Sequence, residues 1–154
     1  MKVVANLDEY HHAHLSAYFW CSQFQNGSPK RINFLLDSGC STTTIMNDSA
    51  TLLGINCLNL NPSVRQVRTA NGTVTPFEIT DAILIFAVKS GFLNLFSGYH
   101  GTNVNVIHCY APTNPQLMTQ QRAANAFSLL GMDVLSMFKT WKWNLAEEKL
   151  LLST

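Results

Sequence analysis

Charge is scarce in this chain: ten lysines and arginines against nine acids give a charged fraction of 12% and a formal net charge of +1 over 154 residues. A surface so poor in cations has no electrostatic reach toward a phosphate backbone or an acidic lipid, so neither nucleic acid nor a membrane is an expected partner. Long apolar runs are missing too. The longest, Ala82 to Val88, is strand-sized and far short of the roughly 20 residues that cross a bilayer as a helix. Cys21, Cys40, Cys57 and Cys109 are scattered without a Cys-x-x-Cys pair, which points to neither a zinc knuckle nor a disulfide framework. Buried thiols in a reducing cytosol are expected instead. Met1 to Leu7 runs straight into Asp8-Glu9-Tyr10-His11-His12, unlike a secretory leader, so the expected location is cytoplasmic. Repeats, low-complexity stretches and linkers are also absent, and a 47% hydrophobic content supplies one core, so a single domain over residues 1–154 is expected.

What the chain does have is strand. Leu15, Ala17, Phe19, Cys21 and Phe24 alternate through His14 to Phe24, the segment Gln25-Asn26-Gly27-Ser28-Pro29 reads as a hairpin turn, and Arg31 to Leu36 returns from it. Val64 to Ala70 and Thr73 to Ile79 flank Asn71-Gly72, the strongest two-residue hairpin signal. Thr80 to Val88 and Val104 to Ala111 are further strands, while the aromatic and glycine-rich stretch Ser90 to Gly101 suits either a hairpin arm or an ordered loop. Pro112 to Phe127 reads as an insertion holding a short helix over Gln116 to Ala126. Leu129-Leu130 forms one more strand, Asp133 to Phe138 a helix, and Trp141 to Leu145 with Lys149 to Leu152 a terminal hairpin.

The apolar run Phe34-Leu35-Leu36 ends in Asp37-Ser38-Gly39 and is followed by Cys40-Ser41-Thr42-Thr43-Thr44 and Ile45. Asp, Ser and Gly all favour turns, and alone the triplet would read as one. Its context argues for chemistry. A carboxylate at the end of an apolar strand loses hydration and needs a partner or a hydrogen-bond network to stay charged. Behind it, Asn47-Asp48-Ser49 supplies caps for a short helix over Ala50 to Leu53 that Gly54 stops. His11, His12 and His14 lack an acid or cysteine at a confirming spacing and read as a solvated segment, so no metal is expected. His108 reads as a satisfied core histidine and Asp133 as a capping or structural acid.

Phe34 to Ile45 resembles the active-site signature of retropepsin-like aspartic proteases: two apolar residues, Asp, Ser or Thr, Gly, a small residue, polar residues and an aliphatic. Leu129-Leu130-Gly131-Met132-Asp133-Val134-Leu135 is similar to that family's second element, apolar-apolar-Gly-x-Asp/Asn-x-Leu, and the Asn71-Gly72 hairpin stands between the two where the family has its flap. Order and spacing match from about Ala13 to Leu152. Retroviral members carry an Arg after the glycine of the second element, paired with an acid shortly after the catalytic Asp. Met132 and Ser41 stand here instead, so both partners are gone and no orphan charge remains.

The resemblance implies a mainly β, retropepsin-like acid protease barrel with one short C-terminal helix, a flap hairpin and an inserted, partly helical segment. It implies Asp37 as catalytic acid, Ser38 bonding across a two-fold axis, Gly39 allowing close backbone approach, and no cofactor or metal. Ser41, Thr42, Ala70, Asn71, Gly72 and Thr73 would hold an extended peptide. No other acid in the chain is followed by Ser/Thr-Gly, so the implied partner is a second copy, with Asp37 of each subunit sharing one water. Two other classes remain open: a catalytically silent peptide-binding or dimerisation module on the same fold, and an unrelated β-barrel binding protein.

Overall fold

The computed structural model describes residues 1–24, 28–69, 72–90, 95–110 and 127–154, with the side chains of 69 and 72 left aside. The expected turn at Gln25-Asn26-Gly27, the flap tip at Ala70-Asn71 and the helix over Gln116 to Ala126 lie outside the described residues. The architecture is mainly β, as expected. The strands are β1 (Lys2–Leu7), β2 (Ala13–Cys21), β3 (Lys30–Leu36), β4 (Thr44–Ile45), β5 (Asn61–Pro62), β6 (Val67–Thr69) and β7 (Gly72–Val74). They continue as β8 (Phe77–Ser90), β9 (Leu95–Cys109), β10 (Ser128–Leu130), β11 (Thr140–Asn144) and β12 (Lys149–Ser153), with helices α1 (Asn47–Leu53) and α2 (Met132–Leu135) between them.

Among the described residues, ten strands form one sheet in the order β11-β12-β1-β2-β3-β10-β4-β9-β8-β5, and β8 also pairs with β1 and β2. Those extra pairings bend the sheet back on itself around the core. β2 shows why: its residues alternate strictly between buried and half-buried, with Leu15, Ala17, Phe19 and Cys21 inward. Period-two burial pins the register, because a one-residue slip would turn the whole inner set to solvent. Phe19, Phe34 and Phe86 are fully buried, each contributing about 1.5–3 kcal/mol relative to exposure.

Several expectations need correction. β1 carries no turn-bounded signal, yet it pairs with β12 from Lys2 opposite Ser153 to Asn6 opposite Lys149, because the terminal strand needs an inner neighbour. Thr80 does not begin a new strand; β8 runs through it, and the described part of the glycine-rich stretch, Leu95 to Gly101, belongs to β9, with Leu95 opposite Ser90. The flap hairpin is shifted by one residue. Thr69 pairs with Gly72 and Val67 with Val74, and Pro76, which has no N–H to give, stays outside the ladder. Met46 holds the N-cap position of α1 without a side-chain cap bond, while Asn47, Asp48 and Ser49 lie in the first turn; Gly54 ends the helix at φ 73°, as expected. Cys57 and Cys109 are not free thiols but a disulfide, their Cα atoms 6.5 Å apart, since a 3-10 turn at Cys57–Asn59 sets one beside the end of β9. Cys21 and Cys40 are free.

Candidate active site

β10 enters between two strands that precede and follow the Asp-Ser-Gly turn, parallel to β3 and antiparallel to β4. That insertion holds the turn in place. The Asp37 N–H donates to the Leu130 carbonyl at 3.1 Å, extending the ladder past the end of β3, and the Cys40 N–H closes the turn on the Asp37 carbonyl at 3.2 Å. The Gly39 N–H donates to Asp37 Oδ1 at 2.9 Å. A Cβ at Gly39 would lie 3.2 Å from that same oxygen, so glycine gives the carboxylate its room. Asp37 is half-buried, whereas Ser38 and Gly39 are exposed. The Ser38 hydroxyl makes no hydrogen bond among the described residues.

The segment after the turn is stitched to α2. Met132 N–H donates to the Cys40 carbonyl at 2.8 Å and Asp133 N–H to the Ser41 carbonyl at 3.2 Å. Thr43, fully buried, is the knot: its N–H reaches both Asp133 carboxylate oxygens at 2.9 and 3.0 Å, and its hydroxyl donates to Asp133 Oδ1 at 2.7 Å. The same hydroxyl accepts from the Gly131 N–H at 3.1 Å. A Cβ on Gly131 would stand 2.7 Å from the Thr42 carbonyl carbon and 2.8 Å from the Thr43 nitrogen, so no other residue allows this contact. Asp133 is thus structural, as expected. Thr43 was not singled out, although a Thr inside a run between two apolar segments is the kind of residue that satisfies buried backbone groups.

Ser41 is exposed and Thr42 half-buried. The Thr42 carbonyl accepts from the Thr44 hydroxyl at 3.0 Å and from Cys40 Sγ at 2.9 Å, and the Ser41 carbonyl is taken by Asp133, so the loop spends its acceptors internally. The N–H groups of both residues carry no bond among the described residues. Gly72 and the exposed Thr73 belong to the β6–β7 hairpin, a separate two-stranded sheet with no hydrogen bond to Asp37 among the described residues. Burial pushes the Cys40 thiol up, and the nearby charges of Asp37 and Asp133 push it further, so this sulfur stays protonated beside the acid. Burial likewise raises the Tyr110 phenol and lowers the His108 ring, the latter against the pull of Glu78 and Asp133. His108 is half-buried, and its ring has no hydrogen bond among the described residues.

The histidines near the N-terminus do find an acid, one that spacing alone did not single out. Asp8 Oδ2 lies 3.0 Å from His14 Nε2 and 3.2 Å from His12 Nδ1, and Oδ1 accepts from the Tyr10 and His12 N–H groups. Among the described residues no group of three or more His, Cys, Asp or Glu side chains is arranged to hold a metal ion. Desolvation would raise the Asp8 carboxyl, but the hydrogen bonds from His14, His12 and Tyr10 hold it down at about 2, against an ordinary 3.8. A depressed carboxylate stabilises the fold above its unfolded pKa and loses that contribution as pH falls through the folded one. The gap in melting temperature between the wild type and Asp8→Asn is therefore expected to close as pH falls from about 4 to about 2, as read by circular dichroism.

No protein-family model and no curated protein matches the sequence. Among solved structures, the chain is similar to the crystal structure of a retropepsin-like aspartic protease from Rickettsia conorii, with a TM-score of 0.58 at 20% identity, over 99% of this chain and 89% of that one. The fold is therefore retropepsin-like. No helix among the described residues is long and apolar enough to cross a membrane.

Proposed function

We propose that this chain is a homodimeric aspartic endopeptidase, a single domain whose active site forms where two copies meet with Asp37 facing Asp37. The observation that carries the reading is a lone acid in half of a dyad. Asp37 follows a strand and is fixed through its own N–H to Leu130, with one carboxylate oxygen held by Gly39 and the turn residues Ser38 and Gly39 exposed. Two such carboxylates across a two-fold axis cannot both ionise and so share one proton.

One carboxylate takes a proton from the bound water as its oxygen adds to the peptide carbonyl carbon. The other gives its proton to the carbonyl oxygen; the proton taken from water then passes to the amide nitrogen, the C–N bond breaks, and one hydroxyl of the tetrahedral intermediate returns a proton to the second carboxylate as the acid product forms. Ser38, whose hydroxyl has no hydrogen bond among the described residues, bonds across the axis and stiffens the pair. The unbonded N–H groups of Ser41 and Thr42 receive carbonyls of an extended substrate, as in strand addition, and the Ala70 to Thr73 tip closes over it. The peptide is the substrate, and no cofactor or metal takes part.

Sedimentation should give a dimer. Incubation with denatured protein across pH 3 to 7, read by mass spectrometry, should yield discrete internal cleavages. A dimer that cuts nothing at any pH would instead leave a silent peptide-binding or dimerisation module.

A further inference from the structure

Strand register lays out a file of side chains that starts beside the strand of Asp37 and ends at Glu78, an acid with no hydrogen bond or ion pair among the described residues. Leu35 on β3 stands opposite Leu129 on β10, Leu129 opposite Thr44 on β4, Thr44 opposite His108 on β9, and His108 opposite Glu78 on β8. Paired residues share a face of the sheet, so these five form one row, and Asp37, two residues beyond Leu35 with its N–H continuing the ladder, falls on the same side. The row changes character along its length. Near Asp37 it is apolar; Cys40 then reaches over it, with Sγ 3.9 Å from Thr44 Oγ1, and beyond that it is polar.

Glu78 is half-buried, and its carboxylate has neither a hydrogen bond nor an ion pair among the described residues. It lines a cavity of about 240 Å³ together with Phe24, Leu60 and the polar Gln23, Asn59, Asn61 and Thr80, whose amide oxygens add acceptors beside the carboxylate. An accessible, partly desolvated carboxylate among acceptors suits a cation with several N–H donors.

We infer that Glu78, at the far end of this row, receives a lysine or arginine side chain of the bound peptide, so that the substrates are extended chains with a basic residue set away from the scissile bond. The inference rests on the reading of Asp37 as the catalytic acid. Four strand spacings of about 4.8 Å separate β3 from β8, about 19 Å in all, and an extended peptide covers that in about six residues. The stem of the basic residue shortens the count.

The test uses Asp37→Asn full-length protein, which holds peptide without cutting it, and a fluorescent peptide set in which one lysine moves through six positions on either side of the scissile bond, each paired with a norleucine control. Fluorescence polarisation should find one position where lysine binds about tenfold tighter, with that preference lost in Asp37→Asn/Glu78→Gln and turned toward glutamate in Asp37→Asn/Glu78→Lys. Equal binding of lysine and norleucine at every position, or a lysine preference that survives Glu78→Gln, overturns the inference even if the wild type cleaves peptides. A Glu78-dependent preference in a protein whose wild type cleaves nothing sustains the basic site and sinks the protease reading alone.

Discussion

Asp37→Asn is expected to reduce peptide cleavage by at least about 10⁴-fold while leaving the dimer and its melting temperature nearly unchanged. The size follows from symmetry: one substitution in the gene removes both carboxylates of the site, so the base and the acid disappear together. General acid and general base contributions are about 10²- to 10⁴-fold each, and groups that act as a unit are lost as a unit. Stability should hardly move, because Asn keeps the oxygen that accepts from the Gly39 N–H, and the anchoring bond to Leu130 comes from the backbone of residue 37, not from its side chain. Single-turnover cleavage of a fluorogenic peptide and sedimentation of the same sample check both halves. Retained cleavage would assign the activity to another protein in the preparation. Loss of the dimer would mean that Asp37 serves assembly, and the chemistry would need another seat.

Much of this arrangement was legible in the sequence because local pattern and tertiary need agree. Phe34-Leu35-Leu36 reads as a strand and Asp37-Ser38-Gly39 as a turn from local pattern alone, and Gly131 reads as a break, to which the structure adds its close approach to the Thr42 and Thr43 backbone. β1 was not legible, since Lys2 to Leu7 lacks the flanking turns that frame a strand and is recruited by β12 from the far end of the chain. The Cys57–Cys109 disulfide was hidden for a similar reason: its 52-residue separation carries no motif, and only the 3-10 turn and the end of β9 bring the two together. The row from Leu35 to Glu78 could not be read at all, because it exists only once two parallel and two antiparallel pairings have been set.

The second large effect is on folding. Asp133→Ala is expected to lower stability by about 3 kcal/mol, measured by urea denaturation, with Asp133→Asn recovering most of the loss. Asp133 gives its two carboxylate oxygens to the Thr43 N–H and hydroxyl and to the Val134 N–H. Removing them leaves two Thr43 donors in a residue with no solvent access, and each unsatisfied buried donor costs about 1–3 kcal/mol. Water entering the space, or the Thr43 hydroxyl turning to another acceptor, would lower that sum toward the stated figure. Asn keeps one acceptor oxygen, enough for the backbone donor, which is why the amide should rescue where alanine does not. The damage should also travel. The Thr43 hydroxyl accepts from Gly131, and Gly131 follows the strand whose Leu130 carbonyl holds Asp37, so loosening Thr43 loosens the acid two bonds away. At temperatures where Asp133→Ala is still folded, its cleavage rate should fall about tenfold with little change in KM, because peptide is held by other groups while the two carboxylates lose their alignment. A stability loss without any fall in rate would show that Thr43 and Asp133 support the barrel alone, and that Leu130 fixes Asp37 without their help.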